Sequence, residues 1–263
     1  MTMLSWLTRP IAHRGLHDQR RGIVENTAAA FQGAIHCGYG IETDVRAAAG
    51  GEPVIFHDAT LERLTLGHGR LDALTAAQLK AITFKATADR ILTLPEFLEL
   101  VGGRVPLFLE IKSDWGTDRV LERRIAEVVT RYRGRAAVMS FDPGSMTAMH
   151  AFAPRIPRGL SAMRYTGGHW PWMTPAIRFR LTHMLEVGAA KPSFLTQEVG
   201  TLPLLAPPIR RRWPHLPLIT WTVRNAEQRR KARLYADAMI FEGFRPAPRD
   251  GVGLRYRSAG ACD

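Results

Sequence analysis

Short apolar runs alternate along the chain with segments whose apolar residues recur at helical spacing. The runs at 10–15, 40–47, 53–57, 106–112, 136–141, 158–162, 185–190, 216–223 and 239–243 predict strands. The segments 26–37, 93–101, 117–132, 143–152, 174–181 and 226–236 predict helices. Helix 26–37 places Ala29, Ala30, Phe31 and Ala34 on one face and meets Gly38 as a stop, and Pro95 lies near the start of 93–101, where its missing N–H does little harm. Continuous apolar strands alternating with helices are the pattern of βα units around a parallel sheet covered on both faces. If 40–47 and 53–57 are two arms of one hairpin-like excursion, eight units remain, the number a closed (β/α)8 TIM barrel needs. The alternative is an open doubly wound sheet, but no Gly-x-Gly-x-x-Gly turn follows the first strand.

Residues 58–90 are too long for a plain βα loop. Their spaced leucines (Leu61, Leu64, Leu66, Leu71, Leu74 and Leu79) predict a small insertion after the second strand, over the catalytic mouth of the barrel. No linker or charge block divides the chain, so residues 1–263 read as a single α/β domain. A length of about 250 residues is typical of this barrel.

Composition changes the picture in one respect. With 46% apolar and 23% charged residues the chain is ordinary globular protein, which excludes disorder. Against 36 basic residues stand 24 acidic ones, a net charge of +12, and most of the excess is Arg. A field of this sign favours anionic partners: nucleic acid, acidic lipid surfaces or phosphorylated small molecules. Cys37 and Cys262 form neither a disulfide framework nor a zinc site by spacing, which fits a reducing compartment. The first ten residues lack a charged region followed by a long apolar run, and no stretch reaches 18 uninterrupted apolar residues, so the expectation is a cytoplasmic protein.

Candidate chemistry falls at strand ends, where barrel enzymes keep their catalytic groups. The first strand ends His13-Arg14-Gly15, the second carries Glu42-Thr43-Asp44, the next run ends His57-Asp58, and the following strand ends Glu110-Ile111-Lys112. Strand side chains alternate faces, so Glu42 and Asp44 point the same way, as do Glu110 and Lys112. Three carboxylates converging on one mouth repel, and a divalent cation with hard oxygen ligands, Mg²⁺ or Ca²⁺, resolves the repulsion. His13 and His57 carry imidazoles, the side chain whose unperturbed pKa lies near neutrality, which suits proton transfer, and Arg14 and Lys112 supply positive charge for a phosphoryl oxygen. Taken singly, each group also fits a structural role, such as a solvated strand face for Glu42, Asp44 and Arg46 or a neighbouring ion pair for Glu110 and Lys112. Co-occurrence at successive strand ends is what points to a site.

These residues, in this order, resemble the glycerophosphodiester phosphodiesterase family. The resemblance rests on His13-Arg14-Gly15, Glu25-Asn26-Thr27, Glu42-x-Asp44-Val45, His57-Asp58 followed by Thr60-Leu61-x-Arg63-Leu64-Thr65, and Glu110-x-Lys112. Ser140-Phe141 and Trp221-Thr222-Val223 extend it. It implies a (β/α)8 barrel with a small insertion and divalent-cation-dependent hydrolysis of a glycerophosphodiester to sn-glycerol 3-phosphate and an alcohol. By position it implies Glu42, Asp44 and Glu110 as metal ligands and His13 and His57 as the general acid/base pair, without saying which histidine is which. It further implies Arg14 and Lys112 as phosphate binders, Trp221 against the glycerol end, and Asn26 ordering the site. The chain departs from the family's Asp-Arg-Pro-like turn after the last strand, reading Phe241-Glu242-Gly243-Phe244-Arg245-Pro246. It also places Lys191 where the family often has Asn, which predicts an added cation near the mouth.

Two rivals bear on substrate and class. One is a phospholipase D-like hydrolase of lysophospholipids on the same site, with the loop bearing Trp170 and Trp172 sheltering an acyl chain and weak contact with a membrane surface. The other is a nucleic-acid-binding protein using Arg210-Arg211-Arg212 and Arg229-Arg230, which lacks zinc-finger spacing or an aromatic RNA-recognition motif. The alcohol moiety, the metal and the oligomeric state stay open at this level.

Overall fold

The structure, a computed structural model, describes residues 6–7, 9–166 and 170–247. Cys262 and the Gly167-Gly168-His169 part of the tryptophan-bearing loop lie outside the described residues. The strands are β1 (Ile11–Ala12), β2 (Gly40–Ala47), β3 (Pro53–Ile55), β4 (Leu107–Ile111), β5 (Ala136–Ser140), β6 (Arg158–Ala162), β7 (Phe194–Glu198), β8 (Leu218–Val223) and β9 (Ala238–Phe241). The helices are α1 (Ala28–His36), α2 (Ala76–Ala81), α3 (Leu94–Val101), α4 (Val120–Val129), α5 (Pro143–Phe152), α6 (Pro175–Thr182), α7 (Val187–Ala190), α8 (Leu202–Arg212) and α9 (Ala226–Tyr235).

Strand β1 pairs in parallel with both β2 and β9, closing a ring in the order β1-β2-β4-β5-β6-β7-β8-β9. The fold is therefore the (β/α)8 barrel. Strand β3 lies outside the ring, antiparallel to β2 with Val45 opposite Ile55, as the hairpin-like excursion predicts.

Alternation along the strands divides the apolar residues between two cores. Ile41, Val45, Leu107, Leu109 and Ile111 face outward and pack with Phe97 and Ile125 of the helices. Ile11, Phe108, Phe194, Ile219 and Ile240 form a second cluster inside the ring, with Phe108 and Phe194 meeting edge to face at 5.8 Å. Room for Phe194 is made by Gly159, where a Cβ would lie 2.2 Å from the ring. The inward positions two residues further on are His13, Glu110 and Glu242, so the packing that fills the barrel floor also aims polar side chains at its mouth.

The insertion has its own small core. Leu61, Leu64, Leu71 and Leu79 are buried with Val54, Phe56, Phe84 and Ile91, whereas Leu66 is exposed. Helix α2 starts with a capping box in which Thr75 and Gln78 satisfy each other's backbone N–H.

One strand prediction is overturned. Residues 185–190 do not form a strand: they run from a turn into α7, and the strand lies later, at Phe194–Glu198. The segment Val187-Gly188-Ala189-Ala190 is apolar because Val187 and Ala190 are buried helix positions. The true strand carries Thr196 and Gln197, both fully buried, with Thr196 donating to Ser161 Oγ at 2.9 Å. Helix α8 also went unpredicted, because Pro203, Pro207 and Pro208 argue against a helix. Its buried stripe of Leu202, Leu205, Ala206 and Ile209 nevertheless holds it to the barrel. Among the described residues, no helix is long and apolar enough to cross a membrane.

Truncating Leu61 to Ala should destabilise the protein by about 2–5 kcal/mol, the usual cost of deleting a buried leucine. Urea denaturation of wild type and variant measures it. A change below about 0.5 kcal/mol, typical of surface positions, would show that the insertion core contributes nothing.

Candidate active site

Immediately after β1 the chain turns sharply. Arg14 and Gly15 both take left-handed backbone angles, φ 54° and 79°. A Cβ on Gly15 would lie 2.9 Å from the Cβ of Ala30, so the loop can lie against α1 only with glycine there. Asn26, also left-handed at φ 58°, donates its backbone N–H to the Arg14 carbonyl at 3.0 Å. These two close contacts bring the His13-Arg14 and Glu25-Asn26 segments together at the mouth.

Glu42, Asp44 and Glu110 converge there. The register of β2 and β4 sets Asp44 beside Glu110, and donor oxygens of all three lie within 4.8 Å of one another. All three are buried. Asp44 is heavily counterbalanced: Asn26 Nδ2 donates to its Oδ2 at 2.8 Å, Lys112 Nζ lies 2.9 Å from Oδ1, and Arg14 Nε lies 3.2 Å from Oδ2. Lys112 also contacts Glu110. Asn26 is itself fixed by the Thr43 hydroxyl, which donates to Oδ1 at 2.7 Å.

The balance of charge differs from one carboxylate to the next. Burial drives the Asp44 carboxyl up, but Lys112 and Arg14 outweigh it and hold Asp44 well below the usual carboxylate range. Burial works against the Lys112 ammonium too, and Asp44 and Glu110 overcome it, raising its pKa. Glu42 is the exception: burial, then its neighbours Asp44 and Glu110, push its carboxyl well above the ordinary value. Its Oε2 accepts the Arg14 backbone N–H at 3.0 Å, whereas its Oε1 is buried with no hydrogen-bond partner. An orphaned buried oxygen within a set of hard oxygen donors fits a divalent cation.

Each histidine is oriented through Nδ1. His13 donates to Glu242 Oε2 at 2.7 Å, which leaves Nε2 3.9 Å from Glu42 Oε2. That hydrogen bond, against burial, depresses Glu242 to about 2. Burial lowers the His13 pKa, with the Glu242 hydrogen bond opposing. His57 donates to Asp58 Oδ1 at 2.6 Å. Asp58 is gripped by Arg63 of the insertion, and Arg63 also binds Glu25 through Nη2 at 2.7 Å and Nη1 at 3.1 Å. Glu25 in turn accepts from Arg14 Nη1 at 2.7 Å.

A cavity of about 360 Å³ opens over this cluster, lined among others by His13, Arg14, His57, Glu110, Lys112 and Trp221. Trp221 stands edge to face with Phe141 at 5.3 Å, and its indole N–H is buried without a hydrogen-bond partner. Nine of the ten sequence-derived site residues thus gather around one mouth.

Lys191 does not join them. It caps α7 in a left-handed conformation, and its carbonyl accepts from Arg158 Nη2 at 3.0 Å. Arg158 begins β6, so Lys191 lies at the opposite end of the barrel, because the strand it was expected to end starts three residues after it. Sequence reasoning missed Glu242 as the partner of His13. Its position at the C-terminal end of the last strand, where the chain departs from the family pattern, was the available signal. Of the Arg210-Arg211-Arg212 cluster, Arg210 is engaged within the fold, its Nη2 pairing with Asp237 at 3.0 Å, while Arg211 and Arg212 are exposed.

Residues 13–243 match the model of the glycerophosphoryl diester phosphodiesterase family. The chain is 34% identical over 163 residues to a glycerophosphodiester phosphodiesterase of Caldanaerobacter subterraneus, covering 58% of this chain and 66% of that protein. It is 30% identical over 173 residues to mouse glycerophosphodiester phosphodiesterase 1, covering 62% of this chain and 49% of that one. These matches span less than two thirds of the relatives' own length. Among solved structures, the fold is similar to an Oleispira antarctica phosphodiesterase in complex with the product sn-glycerol-3-phosphate (TM-score 0.74, 21% identity, 98% of this chain and 99% of that one). It is also similar to a glycerophosphodiester phosphodiesterase from Thermotoga maritima (TM-score 0.68, 24% identity, 95% and 98%).

Replacing Asn26 by Ala should leave the buried Asp44 carboxylate and the Thr43 hydroxyl each short of a partner, at a cost of about 1–3 kcal/mol. Thermal unfolding of the variant checks this, and an unchanged midpoint would remove Asn26 from the framework of the site.

Proposed function

Because the chain belongs to the glycerophosphoryl diester phosphodiesterase family, we propose that it hydrolyses a glycerophosphodiester to sn-glycerol 3-phosphate and an alcohol by histidine acid–base catalysis. The observation that carries this reading is the pair of imidazoles, each held through Nδ1 by a carboxylate, at the edge of one cavity with the Glu42, Asp44 and Glu110 cluster. With both Nδ1 atoms engaged, proton transfer falls to the two Nε2 atoms. One takes the proton of the nucleophile and the other protonates the departing alkoxide; water as nucleophile gives sn-glycerol 3-phosphate directly, whereas the glycerol 2-hydroxyl gives a cyclic phosphate that a water must then open.

Glu42, Asp44 and Glu110 would hold a divalent cation, which when bound supplies Lewis-acid stabilisation of a non-bridging phosphoryl oxygen. Arg14 and Lys112 share the remaining charge of the phosphoryl group. Both are already anchored by carboxylates, so they meet the substrate without reorganising. Asn26 fixes the Asp44 carboxylate, and Trp221 offers its ring face and an unpaired N–H to the glycerol end. The product seen with the Oleispira antarctica relative, sn-glycerol-3-phosphate, agrees with this substrate class.

An aromatic wall favours a second reading, hydrolysis of lysophospholipids in the manner of a phospholipase D. From Phe141 it runs to Tyr165 at 6.4 Å and on to Trp170 at 5.2 Å, while Trp115 meets the half-exposed Trp172 at 5.1 Å. A surface of this kind suits an acyl chain. Turnover of deacylated against monoacylated glycerophosphodiesters decides between the two substrates.

His13→Ala and His57→Ala should each lower kcat by at least about 100-fold, the scale of a lost general acid or base. Near wild-type turnover in either variant would sink that role. Exhaustive chelation should abolish activity, and Mg²⁺, Ca²⁺ or Mn²⁺ assayed across a panel of glycerophosphodiesters should restore it. Full activity after chelation would refute the carboxylate cluster as a cation site.

A further inference from the structure

A second cavity, of about 510 Å³, lies beside the mouth, between the segments that follow β1 and β9, and is lined by His17, Glu25 and Glu242 among others. Glu242 faces this cavity while its Oε2 holds Nδ1 of His13, which lines the first cavity, at 2.7 Å, so the His13–Glu242 pair lies between the two spaces. His17 has no place in the reaction derived above. Its Nε2 is nevertheless buried with no hydrogen-bond partner, an unsatisfied imidazole nitrogen facing a polar space. His13, His17 and Glu242 each offer a donor atom within 4.8 Å of the other two.

We propose that His13, His17 and Glu242 form a second metal site, selective for a borderline transition ion such as Zn²⁺, whose occupation withdraws His13 from catalysis. Two imidazoles and one carboxylate are a donor set that suits Zn²⁺ and leaves one position open for water. The all-oxygen cluster of Glu42, Asp44 and Glu110 selects hard cations instead, so neighbouring sites in one barrel differ in preference. Coordination at His13 Nδ1 replaces the proton that this nitrogen donates to Glu242, and that proton leaves to water. The ring is then held by the ion rather than by Glu242, and it loses the orientation that aims Nε2 at the mouth. Glu242 also carries the ion pair to Arg224 at 3.0 Å, which the ion competes with and which limits its affinity. The ion enters from the second cavity, whose lining is separate from that of the first, so it inhibits without occupying the space of the substrate.

The test titrates Zn²⁺ into the 263-residue chain at saturating Mg²⁺, with His17→Gln in parallel. Wild type should lose activity with KM unchanged, and further Mg²⁺ should not relieve it. His17→Gln should keep its basal activity and require at least about 10-fold more Zn²⁺ for the same loss. Co²⁺ as a spectroscopic probe should give wild type, but not His17→Gln, the intense visible bands of a four-coordinate ion. Equal Zn²⁺ sensitivity of the two proteins, relief by Mg²⁺, or Co²⁺ bands independent of His17 would each overturn the site. Co²⁺ bands that depend on His17 without any inhibition would instead overturn the role given to His13, which rests on the reading of the function above.

Discussion

Three carboxylates share a space of a few ångströms where almost no water reaches them, and most of the mouth is arranged to make that tolerable. Like charges at such separations in a low-dielectric setting raise one another's energy steeply, so at least one must be neutralised or paired. Lys112 and Arg14 meet Asp44, Asn26 adds a hydrogen bond, and the backbone N–H of Arg14 reaches Glu42. The left-handed turns at Arg14 and Asn26 exist because these groups must come this close. Glu42 is left with an unanswered oxygen, an imbalance that a divalent cation would relieve.

Much of this was legible in the sequence, for a definite reason. Alternation along a strand is a local property, so Glu42 could be paired with Asp44 and Glu110 with Lys112 on shared faces from spacing, and the register of β2 and β4 then sets Asp44 beside Glu110. The insertion was legible because its leucines are spaced too regularly for a loop, and most of them form a core. The failures have physical causes as well. Strand β7 hides its apolar signal because it buries Thr196 and Gln197, which are paired with Ser161 and Thr201 respectively. The prolines of α8 sit where packing of the opposite face outweighs their local cost. The error at Lys191 follows from the misplaced strand, because moving a strand by several residues exchanges the two ends of the barrel for everything near it.

The partner of His13 was beyond the reach of spacing. Glu242 lies 229 residues away along the chain and becomes its neighbour only when β9 closes against β1. Closure of the ring therefore completes this pair: until the last strand docks, the first histidine has no orienting carboxylate. His57 is different. Its carboxylate is the next residue, so its orientation depends on the insertion rather than on barrel closure.

Glu25 is a shared anchor, held by Arg14 from the barrel and by Arg63 from the insertion. The insertion therefore cannot be exchanged between relatives as an independent cassette. A transplanted segment lacking an arginine at that place would leave a mostly buried carboxylate with half its counter-charge and slacken the grip on Arg14. Glu25, Asp58 and Arg63 form one linked unit, through which the shape of a peripheral lobe bears on the position of Arg14 at the mouth.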